Sequence, residues 1–274
     1  MKDIRNLYST YWTHELTRLN RDPYHTLEFN TTFRFLDKYL PKEGLILDAG
    51  GGTGIYSIAL AKRGYDVVLL DYSKENLRAA RREIERAGVG ERVKGVMEGT
   101  ITSLEEFGEG TFDAVLCLGG PLSLVHGRRN RLKAMSDLIG VAKRGAPIFI
   151  SVMNRYGAIA IFPNKSPDEV GTSNFINLAT KGEDTMFPFH RMGDYYCHWF
   201  TPEELETDFT SSGPVKVVAK AGLEGLGAPS ERAINDLNRN KEAWENWMKV
   251  HYALCTKQEV IGASMHVLIV GKKK

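Results

Sequence analysis

The chain is predicted to fold as a doubly wound α/β sheet, and three observations predict it. From Leu45 onward short apolar runs alternate with charged stretches of helical period. The runs are almost continuously apolar, as strands covered on both faces are. The first of them empties into a glycine cluster, Gly50-Gly51-Gly52-Thr53-Gly54. The composition leaves room for such a core: 274 residues, 42% hydrophobic and 26% charged, are too apolar for a disordered chain, and 27 Gly with 10 Pro are too few for a fibrous one. No window approaches the roughly eighteen apolar residues that span a bilayer, so no membrane partner is expected. The N-terminus lacks the apolar stretch of a secretory signal. Cys117, Cys197 and Cys255 are odd in number and widely spaced, fitting neither a disulfide framework nor a CxxC metal site. Both observations point to a cytoplasmic protein without a metal. The net charge of +2 decides nothing about partners.

The elements follow in order. Residues 1–43 read as a helical cap, one amphipathic helix over about Ile4 to Leu19 and another over Thr26 to Leu40, with Asp22-Pro23 breaking between them. Leu45 to Ala49 is the first strand and Ile55 to Arg63 the helix after it. Asp66 to Leu70 is the second strand, ending on Asp71, and Ser73 opens a charged helix to about Ala87. Arg92 to Met97 and Phe112 to Leu118 are the third and fourth strands, a basic helix runs from Arg128 to Lys143, and Pro147 to Met153 is the fifth. Residues 154–200 break the rhythm with aromatics and turn formers, and are expected as an irregular insertion serving as a substrate lid. Thr201-Pro202-Glu203-Glu204 then restarts a helix with a cap, a proline and acids in the first turn. Strands near Val215 to Ala219 and Met265 to Val270 flank a helix over Lys241 to Ala253. Without a repeat or flexible linker, everything from residue 44 to 274 belongs to one domain.

The stretch Leu45 to Ser57, LILDAGGGTGIYS, carries the most chemistry. A glycine turn between strand and helix lets a ligand approach the backbone, because no Cβ intervenes. A dinucleotide-binding G-x-G-x-x-G beginning at Gly50 would need glycine where Ile55 stands, which argues against a dehydrogenase. Instead Asp48 precedes the glycines by two positions. A carboxylate there suits a cationic, amino-bearing ligand better than a pyrophosphate. Asp71, at the tip of the second strand, stands where such folds hold a ribose diol.

In these residues the sequence resembles the class I S-adenosylmethionine-dependent methyltransferases, well over residues 45–153 and more loosely over the last two strands. The resemblance implies a Rossmann-like seven-stranded sheet, mostly parallel with its last strand antiparallel. It implies S-adenosyl-L-methionine as cofactor and S-adenosyl-L-homocysteine as product. Gly50, Gly52 and Gly54 would pass under the cofactor, with Asp48, Gly51, Tyr72 and Leu118 beside it, and Asp71 would bind its ribose. Glu98, Gly99, Thr100 and Ile101 would flank the adenine; the family often has an acidic or amide residue where Thr100 stands.

Methyl transfer needs alignment and a dry site more than a triad or a metal, so catalytic residues are few. The fourth strand ends in Cys117-Leu118-Gly119-Gly120-Pro121-Leu122, where family members that methylate exocyclic amines carry (Asp/Asn/Ser)-Pro-Pro-(Tyr/Phe). Here the side-chain acceptor and stacking ring are missing, leaving either a plain turn or a site in which Gly119 and Gly120 carbonyls hold an amine beside Pro121. A ring could come from Tyr8, Tyr11 or Trp12, or from Tyr156, Phe162, Phe187, Phe189, Tyr195, Tyr196 or Trp199, although aromatics also pack irregular segments. Asn154 and Tyr156, just past the fifth strand, are the other catalytic candidates. His190, His198 and His126 could supply a polar contact or sit satisfied within a folded lid; they match no zinc pattern.

Arg128, Arg129 and Arg131 cluster without acids near the expected cleft, whereas Arg78, Arg81, Arg82 and Arg86 interleave with glutamates as a solvated face does. The first group could hold RNA phosphates. The sequence therefore points to methylation of nitrogen on an RNA base, a ribosomal cytosine N4 in particular. A small-molecule N- or O-methyltransferase is nearly as well supported by the aromatic insertion and near-neutral charge, and a cofactor-binding protein without turnover stands further off. Monomer and homodimer are both open.

Overall fold

The computed structural model describes residues 13, 15–184 and 196–274. Seven strands form one sheet: β1 (Leu45–Ala49), β2 (Asp66–Asp71), β3 (Val93–Glu98), β4 (Ala114–Cys117), β5 (Pro147–Met153), β6 (Val215–Gly222) and β7 (His266–Lys273). Their order is β3-β2-β1-β4-β5-β7-β6. The first five pair in parallel, and β7 runs antiparallel to both β5 and β6. This is the Rossmann-like sheet the sequence implied, with its last strand reversed. Strand order turns back between β1 and β4, where open α/β sheets place their ligand crevice.

Alternation along the strands shows why both faces must be covered. Leu47, Ala49, Val115 and Cys117 enter one core with Met135, Leu138 and Phe209, while Ile46, Ala114 and Leu116 enter the other with Phe33, Leu36 and Leu60. Those partners come from helices α1 (Pro23–Tyr39), α2 (Ile55–Lys62), α4 (Arg128–Val141) and α8 (Pro202–Ser211), the last of these numbered after three helices of the insertion, while α3 (Lys74–Arg86) packs Leu77, Ala80 and Ile84 against Leu69 of β2.

Several boundaries differ from expectation. Asp22-Pro23 lies between the two elements, but α1 begins at Pro23 and not at Thr26, the Asp22 carboxylate accepting from the His25 amide at 3.0 Å with Pro23 in the first turn. Of the preceding helix, residues 1–12 and 14 lie outside the described residues, residues 15–17 are helical, and Arg18–Asn20 is a 3-10 turn. Helix α4 stops at Val141, short of Lys143, because the Phe112 amide donates to the Val141 carbonyl and the Lys143 amide to the Phe112 carbonyl across the strand entry.

The largest correction concerns residues 154–200. Instead of irregular chain they form α5 (Arg155–Lys165), α6 (Pro167–Val170) and α7 (Ser173–Lys181), followed by paired two-residue strands Glu183–Asp184 and Cys197–His198. Thr172 caps α7 and Gly182 ends it in a left-handed conformation. Their apolar residues pack on Trp199, which is fully buried, in a small core of their own with Phe162 and Leu178. Pro163 inside α5 and the scattered polar residues disguise that helical period. Two further helices were not foreseen, α9 (Glu231–Leu237) and α11 (Gln258–Ala263), flanking α10 (Lys241–Leu254). Among the described residues, no helix is long and apolar enough to cross a membrane.

Candidate active site

A cleft of about 500 Å³ opens at the carboxyl ends of β1, β2, β3 and β4. Its floor is the glycine loop. The Gly50 and Gly51 amides donate to the Leu70 carbonyl at 2.7 and 3.1 Å, tying the loop to β2. A Cβ on Gly50 would meet Pro121 Cγ at 2.6 Å and one on Gly51 would meet Asp48 Cγ at 2.6 Å, so packing alone demands glycine at both. Gly52 is different. Its φ of 58° is left-handed, and the nearest side-chain atom to a Cβ there is Asn76 Nδ2 at 3.9 Å. At Gly52 the missing side chain leaves open space over the floor.

Two carboxylates stand at this corner. Asp71 is 8% exposed and faces the cleft. Its Oδ1 accepts from the Ser73 amide at 2.9 Å and Asn76 Nδ2 at 3.2 Å, and its Oδ2 from the Gly52 amide at 2.9 Å. Burial nevertheless raises its carboxyl above the usual range, those donors opposing and Glu15 adding to the rise. Asn76 Oδ1, also buried, has no partner, and the donation from Nδ2 fixes which way the amide points. Asp48 lies beneath the loop, fully buried, taking the Ser57 hydroxyl on Oδ2 at 2.6 Å and leaving Oδ1 unpartnered. Burial pushes its carboxyl up to about 6, Ser57 opposing and Asp71 contributing.

The rim beyond β3 and β4 is built from Gly99, Thr100, Ile101 and Thr102, then Leu118, Gly119 and Pro121, then Leu124, Val125, His126 and Asn130. The Thr100 hydroxyl lies 3.0 Å from that of Thr102 and accepts from the Thr102 amide at 3.3 Å. In the turn after β4 the Gly119 amide donates to Ser151 Oγ at 2.8 Å. The last wall is Glu15, Arg18, Leu19 and Tyr56. Arg18 Nη2 sits 3.1 Å from where a Gly119 Cβ would be, and the Tyr56 hydroxyl is buried and unpartnered. Among the described lining residues Glu15 and Asp71 are acidic and Arg18 is the one guanidinium or ammonium group.

A family profile described as a methyltransferase domain matches residues 46–145, the stretch from β1 to the entry of β5 that builds most of this cleft. Residues 46–145 therefore carry a methyltransferase domain, of the kind the sequence resembles, the class I S-adenosylmethionine-dependent enzymes. A glycine/sarcosine N-methyltransferase from Parasynechococcus marenigrum is 30% identical over 109 residues, 40% of this chain and 38% of that protein. A ubiquinone biosynthesis O-methyltransferase from Aliivibrio fischeri is 30% identical over 137 residues, 50% of this chain and 53% of that one. A solved S-adenosylmethionine-dependent methyltransferase from Methanosarcina mazei shares the fold with a TM-score of 0.60 at 18% identity, covering 87% of this chain and 96% of that one. The matched stretch covers 38–63% of the first curated relatives' own length. The cofactor of this class is S-adenosylmethionine, and the cleft suits it: a cationic ligand meets two carboxylates against one guanidinium, and acceptor atoms on Asp71 and Asn76 remain free for hydroxyl donors.

Set against this methyltransferase cleft, the sequence candidates divide. Gly50, Gly51, Gly52, Asp71 and Tyr72 line it, as do Gly99, Thr100, Ile101, Leu118, Gly119 and Pro121. Gly54 does not: it caps α2 behind the loop, its missing Cβ making room for Leu69. Gly120 is outside the lining: a Cβ there would face Met153, and its carbonyl accepts from the Ser123 amide at 3.0 Å. Asn154 is fully buried, its amide donating to the carbonyls of Ile261, Gly262 and Ser264 at 3.3, 2.7 and 2.6 Å. It fastens β5 to the C-terminal end of α11 and lies outside the cleft lining. Tyr156 is half-exposed on α5, outside the lining.

The arginine cluster is dispersed. Arg128 binds Asp208 of α8 through Nε and Nη2 at 3.1 and 2.6 Å. Arg131 is buried, donating to the Tyr196 hydroxyl at 2.8 Å. Arg129 is exposed without such a partner among the described residues, so one guanidinium of the three is left unengaged. Tyr196 donates in turn to Glu183 at 3.1 Å and its ring lies 4.5 Å from that of His126. His198 pairs with Glu204 at 2.6 Å within the insertion's anchor. Tyr11 and His190 lie outside the described residues. Sequence reasoning missed Glu15, Arg18, Tyr56 and Asn76. Of these only Asn76, five residues past Asp71 on the next helix, had a local signal.

Proposed function

We propose that this protein transfers the methyl group of S-adenosylmethionine to a nitrogen or oxygen of a small molecule. The observation that carries this reading is the acid-lined cleft over Gly52 and Asp71, together with the pairing of Arg128 and Arg131 with Asp208 and Tyr196. Small-molecule sites occupy clefts of a few hundred Å³, the size found here. By their names the relatives methylate glycine and sarcosine in one case and serve ubiquinone biosynthesis in the other, which favours a small-molecule acceptor for this chain.

Bound in the cleft, the cofactor supplies a sulfonium-activated methyl group. The residues then divide the labour of holding and drying it. Asp71 Oδ2 retains capacity for one further hydrogen bond, and with Asn76 Oδ1 forms a pair of acceptors for the ribose diol. Thr100 and Ile101 would border the adenine, and Arg18 would meet the carboxylate end of the methionine portion beside Gly119. Residues 1–43 would cap the site and 154–200 would act as its lid, supported by the ring contact of Tyr196 with His126 on the rim. Three buried free cysteines suit a reducing compartment such as the cytoplasm.

The experiment is a methyl-labelled transfer assay with purified protein against a small-molecule extract and, separately, total RNA. Label is expected in the small-molecule fraction and lost in Asp71→Ala, whose affinity for S-adenosylhomocysteine should fall at least about tenfold, roughly 1.4 kcal/mol. Label only in RNA would overturn the acceptor class, and label in neither would overturn the activity.

A further inference from the structure

Behind Arg18 lies a buried charge cluster drawn from four parts of the chain. Arg18, in the 3-10 turn at the cleft, makes a two-pronged contact with Glu28 of α1, Nη1 to Oε2 at 2.5 Å and Nη2 to Oε1 at 3.2 Å. Glu28 Oε2 is 3.7 Å from Nδ1 of His266, the first residue of β7. The same Nδ1 is 2.6 Å from Glu224 Oε1, in the turn after β6, and Glu224 Oε2 accepts from the Ser264 hydroxyl at 2.8 Å and the His266 amide at 2.9 Å. The side chains of Glu28 and Glu224 are 4% and 5% exposed and that of His266 is 12% exposed, so water screens none of them well.

We propose that His266, held as an imidazolium, is a positioning residue of the cleft: it balances Glu28 and Glu224 and so fixes the Arg18 guanidinium beside Gly119, against the carboxylate end of the cofactor. This rests on the methyltransferase reading of the cleft. The argument is a charge count. Two buried carboxylates face one guanidinium, so a neutral imidazole would leave an uncompensated buried charge, a costly state. An imidazolium closes the count. The other groups around the cluster do not alter it. Burial keeps the Tyr24 and Tyr56 hydroxyls protonated and holds His251, on α10, towards its neutral form. Glu15 joins Arg18 at 3.3 Å from the solvent side, with a quarter of its side chain exposed. Nor are Glu28, Glu224 and His266 free to hold a metal ion: both Glu28 oxygens accept from Arg18, and Nδ1 donates to Glu224.

The titration follows the same sign. Burial opposes charging His266, but Glu28 and Glu224 outweigh it and raise its pKa above the ordinary 6.5, while Glu224 is held down to about 2 chiefly by His266 against its own burial. A histidine whose pKa is raised contributes below its ordinary value and loses that contribution as pH rises through the folded one. Cofactor affinity should therefore be level near neutrality and fall on the alkaline side.

The test is calorimetric binding of S-adenosylhomocysteine to the full chain from about pH 6.5 to about pH 9.5, spanning the histidine range. Wild type should lose affinity with rising pH. His266→Gln should bind about tenfold more weakly at neutral pH, and His266→Gln with Glu224→Gln, which restores the charge balance, should recover most of that loss and show a flat profile. A packing role for His266 would not be rescued by changing Glu224. A wild-type chain that does not bind S-adenosylhomocysteine overturns the methyltransferase reading and this inference with it. A wild type that binds with no alkaline loss overturns this inference alone, even if neither variant folds. So does a His266→Gln chain of unchanged affinity, or one that Glu224→Gln leaves unrescued.

Discussion

Asp48 and Asp71 end adjacent strands and share one corner of the cleft, yet their surroundings give them different parts. Asp71 keeps a face toward the cavity and a spare acceptor position, whereas Asp48 is sealed beneath Gly51 with one oxygen bonded to Ser57 and the other to nothing. A buried carboxylate that must stay charged at neutral pH destabilises the fold around it. For Asp48, raised from 3.8 to about 6, that cost is roughly 3 kcal/mol at neutral pH, at about 1.4 kcal/mol per unit. The sign follows directly: with the folded value above the unfolded one, the native state binds the extra proton between the two, and stability rises as pH falls through that window. Urea unfolding of the ligand-free chain should give a midpoint that climbs as pH is lowered from 7 towards 5, set against other carboxylates such as Glu224 that lose stability only lower down. In Asp48→Asn this climb should shrink to what Asp71 and His266, whose folded values are also raised, still contribute. A cationic ligand above the loop would offset the same cost, which is a physical reason for a fold to tolerate it.

At the scale of elements, the glycine loop and the strand ends were legible because their determinants are local. Glycines that need a left-handed φ or make room for a neighbour, a strand-end carboxylate, and an N-cap three residues before the amide that donates to it all sit within a few positions of one another. The insertion and Arg18 were illegible for the opposite reason. The helices of residues 155–181 find their apolar partner in Trp199, and the carboxylate that orients Arg18 comes from the next helix. Position after a strand also misled, for Asn154 follows β5 as a catalytic residue would but spends its amide on three carbonyls at the end of α11. Asn154→Ala strands those carbonyls without their donor in a fully buried place. The expected loss is about 2 to 4 kcal/mol by urea unfolding, with the affinity of the folded fraction for S-adenosylhomocysteine within about twofold of wild type. A large drop in that affinity at unchanged stability would return Asn154 to the site.

Over the whole molecule, the sheet order was implied by resemblance while the assembly of the cleft was not, because its walls come from residues as far apart as Glu15 and Asn130. Apolar periodicity reports which face of an element is buried; it does not report which distant element covers it. The RNA reading loses support at this scale, since Arg128 and Arg131 look free in a list of neighbours and are engaged by Asp208 on α8 and Tyr196 in the insertion once the chain folds. The same long-range construction makes a thermodynamic prediction. A ligand that touches the glycine loop, the rim after β4 and the Arg18 turn binds the native state and nothing in the unfolded chain, where these pieces are far apart. At about 100 times its dissociation constant, S-adenosylhomocysteine should therefore stabilise the protein by about 2.7 kcal/mol, or a rise of about 5 to 10 °C in the thermal midpoint for a chain of this size. Because Arg18 and Glu28 connect the cleft wall to α1, protection from proteolysis should extend to the chain around residues 15–28 and not stop at the strand ends. A rise in midpoint with cleavage in that stretch unchanged would mean that the ligand sits on the sheet alone and that the N-terminal wall takes no part in holding it.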